Sequence, residues 1–91
     1  MKFMFSWNLR PGCHKPAAEA FLQSQAPMPE GLNVIGRWHA PGSATGWLVA
    51  EADTLEPVTL HAAEWANLLE IDITPVVDDE AAGKAFSAVY G

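Results

Sequence analysis

Along residues 2–9, apolar side chains alternate with a mixed set, and this pattern most constrains the fold that the sequence can adopt. One side of the alternation is apolar and the other is mixed: Phe3, Phe5, Trp7 and Leu9 against Met4, Ser6 and Asn8. A period of two is that of a β-strand, whose successive side chains point to opposite faces of a sheet. The chain therefore begins with a strand that has one apolar face and one mixed face.

Turn and helix signals divide the rest of the chain into further elements. The pattern predicts a helix over 15–26, followed by strands over 32–40 and 45–52 that a turn joins. A second helix is predicted to begin with Asp53 as its cap and Glu56 in a capping box. A strand over 70–77 and a short helix capped by Asp78 or Asp79 complete the chain. The apolar stripe of the second helix is Val58, Ala62, Trp65 and Leu69, and that of the last is Ala82, Phe86 and Val89. This β-α-β-β-α-β order with a C-terminal helix predicts an α+β, ferredoxin-like fold with a four-stranded antiparallel sheet.

Length and charge exclude several classes of protein. Ninety-one residues form one domain, residues 1–91, and the net charge is −6, from 11 acidic and 5 scattered basic residues. We therefore expect no nucleic acid and no anionic membrane as partner, because both need clustered cations. The N-terminus lacks the long apolar run of a signal peptide, and no segment is long enough to span a membrane, so the predicted location is the cytoplasm.

The period-two patterns also sort the strand residues into two faces. The predicted helix-facing set is apolar: Phe3, Phe5, Trp7, Val34, Gly36, Trp38, Ile71 and Ile73. The opposite set is mixed: Met4, Ser6, Asn8, Ile35, Arg37, His39, Thr45, Trp47, Val49, Glu51, Asp72, Thr74 and Val76. Two helices cover only one face, so the mixed face stays open and presents an apolar patch of the kind that marks interfaces. We predict that two copies pack through it as a homodimer.

Such a dimer would enclose the polar groups of the mixed face in a cavity. We predict Arg37 and His39 as its catalytic pair, an anion-holding cation beside an acid–base group. The predicted binding residues around them are Ser6, Asn8, Trp47 and Glu51. In the alternative interpretation Arg37 only pairs with Glu51 or Asp72, and His39 lies near the open end of the hairpin.

The remaining chemical candidates favour structural roles. His14 beside Cys13 has no second pair to complete a metal site, and His61 faces Glu64 or Trp65 one turn along its helix. We therefore predict no metal site and no cofactor, and the motifs of nucleotide-binding loops and of common hydrolases are absent.

Four strings carry a resemblance to a known family: residues 5–12, Gly36-Arg37-Trp38-His39, Ala63-Glu64-Trp65 and Thr74-Pro75-Val76. Together they resemble a small bacterial family designated domain of unknown function 3303. That family is similar to the dimeric α+β barrel superfamily, which includes cofactor-free monooxygenases, muconolactone isomerase-like enzymes and haem-degrading enzymes. The resemblance implies the fold and the dimer, and it carries over no catalytic residue.

Two functions from different classes follow. The first is a dimer that binds a small molecule, and a cofactor-independent enzyme acting on a small aromatic or carbonyl compound is one form of it. The alternative is a non-catalytic interaction or regulatory dimer domain, whose interface is dry. A third hypothesis, haem binding, rests on His39 or His61 as an axial ligand. An enclosed cavity with converging polar groups distinguishes the first function from the second.

Overall fold

The computed structural model describes residues 1–91, with four strands and three helices in the predicted order. The strands are β1 (Lys2–Leu9), β2 (Asn33–His39), β3 (Thr45–Glu51) and β4 (Leu69–Val76), and the helices are α1 (His14–Ser24), α2 (Glu56–Trp65) and α3 (Asp79–Tyr90). None of the helices combines the length and the apolar character that a membrane crossing requires.

The ends of the helices test the predicted caps. Asp78 caps α3, and its Oδ1 accepts a hydrogen bond from the Ala81 backbone N–H at 2.9 Å. The predicted cap at Asp53 is wrong, because α2 begins at Glu56 after Leu55 and has no side-chain cap. Pro57 still lies in the first turn, where its missing N–H leaves no helical hydrogen bond unmade.

The sheet has the strand order β2-β3-β1-β4, and every neighbouring pair is antiparallel. The two strands that follow the helices, β2 and β4, therefore lie at opposite edges, and β1 and β3 lie in the centre. This is the ferredoxin-like topology, and it confirms the predicted fold class.

The core lies on the face that β1 was predicted to bury. Phe3 and Phe5 of β1 are 1% and 2% exposed, and they lie in register with Ala50 and Leu48 of β3. Val58 of α2 packs into the same cluster. The helix-facing side of the central strands is therefore assigned correctly by the alternation.

Strand β2 departs from the prediction because it contains a bulge. Val34 lies opposite Ala50 but Gly36 lies opposite Val49, so Ile35 is an additional residue in β2. One inserted residue moves every later side chain to the other face.

The bulge exchanges the faces of the second half of β2. Arg37 lies opposite Leu48 on the helix-facing side, and Trp38 lies opposite Trp47 on the open side. His39 lies opposite the buried Gly46 and is on the helix-facing side as well. The predicted placements of Gly36, Trp38, Arg37 and His39 are therefore wrong.

Two glycines are needed where an indole ring lies flat on the sheet. A Cβ at position 36 would come within 2.6 Å of Trp38 Cζ2 on the open face. A Cβ at position 46 would come within 2.6 Å of Trp7 Cε2 on the helix-facing side. Each glycine allows a tryptophan to cover the backbone at close range.

Helix α3 buries none of its residues. Its apolar side chains Phe86, Val89 and Tyr90 are 65%, 70% and 85% exposed. The radius of gyration is 15.4 Å, against about 12 Å for a compact chain of this length. The longest dimension, 52 Å, is nearly twice the next, 27 Å, so the molecule is extended.

Candidate functional site

A cavity of about 430 Å³ lies between the helix-facing side of the sheet and helices α1 and α2. Its wall is mainly apolar and aromatic and comprises Phe5, Trp7, Leu9, Ala17, Ala18, Phe21, Leu22, Ala26, Leu48, Trp65, Leu69 and Ile71. Five polar residues complete the lining: His14, Arg37, His39, Ser43 and His61. The cavity is therefore an aromatic chamber with a few polar groups, which is the usual composition of a small-molecule site.

The charge of this lining is opposite to that of the chain. The chain carries 11 acidic residues and a net charge of −6, yet no aspartate or glutamate lines the cavity. Arg37 supplies a permanent cation, and the three histidines are neutral or positive. The interior therefore favours an anion or a polar oxygen over a cation.

Arg37 reaches from β2 to the end of α1. Its Nη1 and Nη2 atoms donate to the backbone oxygens of Ala26 at 3.2 Å and Gln25 at 3.3 Å. Gln25 and Ala26 both have positive φ, 61° and 45°, which turns the chain after α1. The guanidinium also lies 5.0 Å from the centroid of the Phe21 ring. Arg37 thus joins α1 to the sheet, and it pairs with neither Glu51 nor Asp72.

His39 is exposed and stands between two aromatic rings. Its ring centroid is 6.0 Å from that of Trp7 and 5.5 Å from that of Phe21, edge to face in both cases. Edge-to-face pairs at these distances are favourable. His39 therefore belongs to an aromatic cluster in the wall of the cavity.

His61 of α2 is the only polar residue of the core, at 7% exposure. Its Nδ1 lies 3.3 Å from Glu64 Oε1, which confirms the predicted contact one turn along the helix. Burial lowers the pKa of His61 below its ordinary value of 6.5, the nearby Glu64 acts in the opposite direction, and the charge of Arg37 lowers it further. His61 is therefore held in its neutral form at neutral pH.

His14 is the first residue of α1, and its Nε2 lies 2.8 Å from the Gly42 backbone oxygen. The adjacent Cys13 is a free thiol. No group of histidine, cysteine and carboxylate side chains is arranged to hold a metal ion. The contact between His14 and Gly42 instead connects α1 to the β2–β3 hairpin.

The six predicted site residues do not converge. Arg37 and His39 line the cavity, whereas the four predicted binding residues share the open face of the sheet: Ser6, Asn8, Trp47 and Glu51. Ser6 lies opposite Trp47, and their side chains point away from the helices. The sheet itself separates the two groups.

Comparison with known proteins gives one assignment. The family model described as domain of unknown function (DUF3303) matches residues 1–90. The chain belongs to this family. No curated protein matches it significantly. Among solved structures it is similar to an uncharacterized NIPSNAP-like domain protein from Burkholderia xenovorans, with 16% identity, a TM-score of 0.46, and coverage of 86% of this chain and 87% of that one.

Sequence reasoning missed most of the cavity of this DUF3303 domain. Trp7 and Trp65 belong to the apolar sets that predict packing between sheet and helices, and His61 is predicted to make a local contact. All three line the cavity together with Phe21. One signal of the cavity is present in α1, whose cavity-lining face carries the small side chains of Ala17 and Ala18. Small residues opposite large aromatic ones leave space unless another side chain fills it.

Proposed function

We propose that this DUF3303 domain is a homodimer that binds a small, mainly aromatic molecule with an anionic or carbonyl oxygen in the cavity between the sheet and the helices. The observation that carries the proposal is a cavity of about 430 Å³ with aromatic walls, one arginine and no carboxylate, in an acidic chain. The cavity is partly open to solvent, and a concave, mainly apolar surface with a few polar groups is the usual form of a ligand site.

The cavity supports a ligand of limited size. Ligand sites range from about 300 to 1,000 Å³, so this volume lies at the small end. Trp7, Phe21 and Trp65 supply aromatic surface from three different elements. A ring of the ligand would be favoured there by apolar burial and by edge-to-face contacts.

The polar end of the ligand would bind at Arg37. A guanidinium has five N–H donors, and only two of those of Arg37 donate to the protein. The remaining donors are available to a carboxylate, an enolate or a carbonyl oxygen. Hydrogen bonds to a charged group contribute about 1.5–3 kcal/mol each, which is enough to select an anionic ligand.

The homodimer is supported by the open face of the sheet. Trp38, Trp47 and Met4 are 56%, 42% and 40% exposed there, and Trp38 lies directly opposite Trp47. Because Arg37 lies on the other face, two copies could pack without burying that charge unpaired. Apolar patches of this kind commonly mark interfaces between subunits.

The alternative, a non-catalytic interaction or regulatory dimer, shares this interface and differs in the interior. Such a domain needs no cavity, and its helix–sheet layer would be filled with side chains. The cavity therefore favours a binding function, and a measured ligand distinguishes the two.

Phenylpyruvate tests the proposal, because it combines an aromatic ring, a carboxylate and a carbonyl group. In a variant with Trp38→Phe and Trp47→Phe, the remaining tryptophans are Trp7 and Trp65, both in the cavity wall. We expect phenylpyruvate to quench their fluorescence in a saturable manner. Isothermal titration calorimetry on the unmodified protein provides an independent affinity.

A cavity-filling substitution locates the binding site. Ala18→Phe in α1 places a ring in the cavity and should abolish binding. The matched control, Ala63→Phe, changes an exposed alanine of α2 that does not line the cavity, and should leave binding unchanged. Equal affinity in both variants, or no binding by the unmodified protein, would reject the proposed site.

A further inference from the structure

We infer that His61, oriented by Glu64, is a catalytic general base that removes a proton from a carbon next to the carbonyl group of an aryl-substituted oxo acid bound in the cavity. The inference rests on the proposed binding function and adds a reaction to it.

The first step in the argument is the orientation of the imidazole. Nδ1 of His61 is directed at Glu64, at 3.3 Å, and Nε2 has no protein partner. No completely buried side-chain nitrogen or oxygen lacks a hydrogen-bond partner, so Nε2 of His61 keeps some exposed surface, and His61 is a lining residue of the cavity. A contact of Nδ1–H with a carboxylate leaves the lone pair of the neutral ring on Nε2.

The second step is the burial of this histidine. A histidine on a helix in an apolar layer ordinarily packs with both nitrogens satisfied or stays at the surface. His61 is 7% exposed, packs edge to face on Phe5 at 6.0 Å, lines the cavity, and has no protein partner for Nε2. That arrangement has the geometry of a base and its orienting carboxylate.

The third step is the cation that a proton abstraction requires. Arg37 lines the same cavity, and its charge acts in the same direction as the larger effect of burial, lowering the pKa of the His61 imidazole. An arginine with free donors stabilises the negative charge that develops on the substrate oxygen. The base and the anion-stabilising group are thus held by different elements, α2 and β2, around one space.

The reaction balances without a cofactor. The C–H bond next to the carbonyl breaks, and its electron pair becomes the C=C bond of an enolate. The charge moves to the carbonyl oxygen near Arg37, and the proton passes to Nε2 of His61. Return of a proton to carbon or oxygen gives the keto or the enol form, so the net reaction is a tautomerisation.

Few charged or titratable residues surround His61. Glu64 is its neighbour on α2, Arg37 and His39 line the cavity from β2, and His14 does so from α1. Strands β1, β3 and β4 contribute only apolar side chains to the lining. The acid limb of a pH–rate profile would therefore report His61, under the opposing influence of Glu64 and Arg37.

The experiment follows exchange of the benzylic protons of phenylpyruvate in deuterium oxide by NMR, with binding measured in parallel by calorimetry. We expect exchange above the buffer rate with the unmodified protein, and a loss of about 100-fold or more with His61→Gln at unchanged affinity, since general-base catalysis contributes roughly 10²–10⁴-fold. The matched control, Thr59→Gln, introduces the same side chain at an exposed position of α2 that does not line the cavity, and should exchange at the original rate.

Glu64→Gln tests the positioning role and does not depend on the stability of a core variant, since the Glu64 side chain is 47% exposed. Because Glu64 raises the pKa of His61, its removal should shift the acid limb of the profile to lower pH and reduce the maximal rate. A residue that only supported the fold would leave the position of that limb unchanged.

The outcomes separate the two proposals. No binding of phenylpyruvate rejects the proposed function. Binding without exchange above the buffer rate rejects His61 as the base and leaves the binding function in place. Equal exchange rates for the original protein and His61→Gln, or an acid limb that Glu64→Gln does not move, also reject it.

Discussion

At the scale of single residues, the aromatic side chains on the two faces of the sheet differ in burial and therefore in their contribution to stability. Phe5 is 2% exposed in the core, whereas Trp38 is 56% exposed on the open face. Apolar side chains contribute to protomer stability in proportion to the area that they remove from water. By size alone, Trp38 would contribute more to stability than Phe5, but the burial of Phe5 and the exposure of Trp38 reverse this order.

We expect Phe5→Ala to lower the free energy of unfolding by about 3–5 kcal/mol, the usual range for a buried aromatic residue. Trp38→Ala should lower the stability of the protomer by less than about 1 kcal/mol, as for an exposed position. Urea unfolding at several protein concentrations separates the two effects, because only a loss of dimer contacts depends on concentration. A large, concentration-independent effect of Trp38→Ala would contradict the assigned faces of β2.

At the scale of elements, the attachment of α1 depends on side chains that arrive from β2. Ala17 is the only buried residue of α1, so the helix has little apolar anchorage of its own. Arg37 compensates with two hydrogen bonds to the carbonyls that follow the helix and a cation–π contact with Phe21. A cation near the C-terminal end of a helix is also favoured by the helix dipole.

Arg37→Leu should therefore loosen α1 more than the rest of the fold. We expect faster amide hydrogen exchange in α1, with α2 and the sheet nearly unchanged, and a loss of about 1–2 kcal/mol in global stability. Arg37→Lys serves as the control, because it keeps the charge and loses the second donor group. Uniform exchange rates across the molecule would mean that Arg37 does not hold α1, and would leave ligand binding as its only role.

At the scale of the whole molecule, apolar surface remains uncovered in two places. The open face exposes Trp38 and Trp47, and α3 exposes Phe86, Val89 and Tyr90. A 12-residue helix is marginal in water without a packing surface, and α3 contains Gly83. A single copy of the chain thus leaves more apolar surface in water than a small domain usually does.

Light scattering coupled to gel filtration should give twice the protomer mass of 9.8 kDa at about 50 µM, a concentration above the dissociation constant of ordinary stable interfaces. Trp38→Ser combined with Trp47→Ser should give a monomer with an unchanged far-ultraviolet circular dichroism spectrum, since neither side chain is in the core. Phe3→Ser, a core variant, is the contrasting control and should unfold. A protomer mass for the original protein would exclude the homodimer.

The order of elements and the face of β1 could be predicted from sequence because both depend on local information. Turn residues, caps and side-chain periods act over a few positions, so the strands of Lys2–Leu9 and Thr45–Glu51 follow almost directly from their patterns. The path of the chain and the ferredoxin-like topology then follow from a small number of connection rules. Membership of the DUF3303 family was evident from short strings of residues.

The tertiary structure decided what the sequence left undetermined. The only local signal of the bulge at Ile35 is the glycine that follows it, since pairing with β3 sets its position. The bulge moves Arg37 and His39 into the helix–sheet layer and Trp38 out of it. The cavity is likewise a property of packing between elements: a helix with small side chains stands over large aromatic ones, and no neighbour fills the space. Local patterns determine which face a side chain takes within a regular strand. Pairing between strands determines where that regularity breaks, and here the break defines the candidate site.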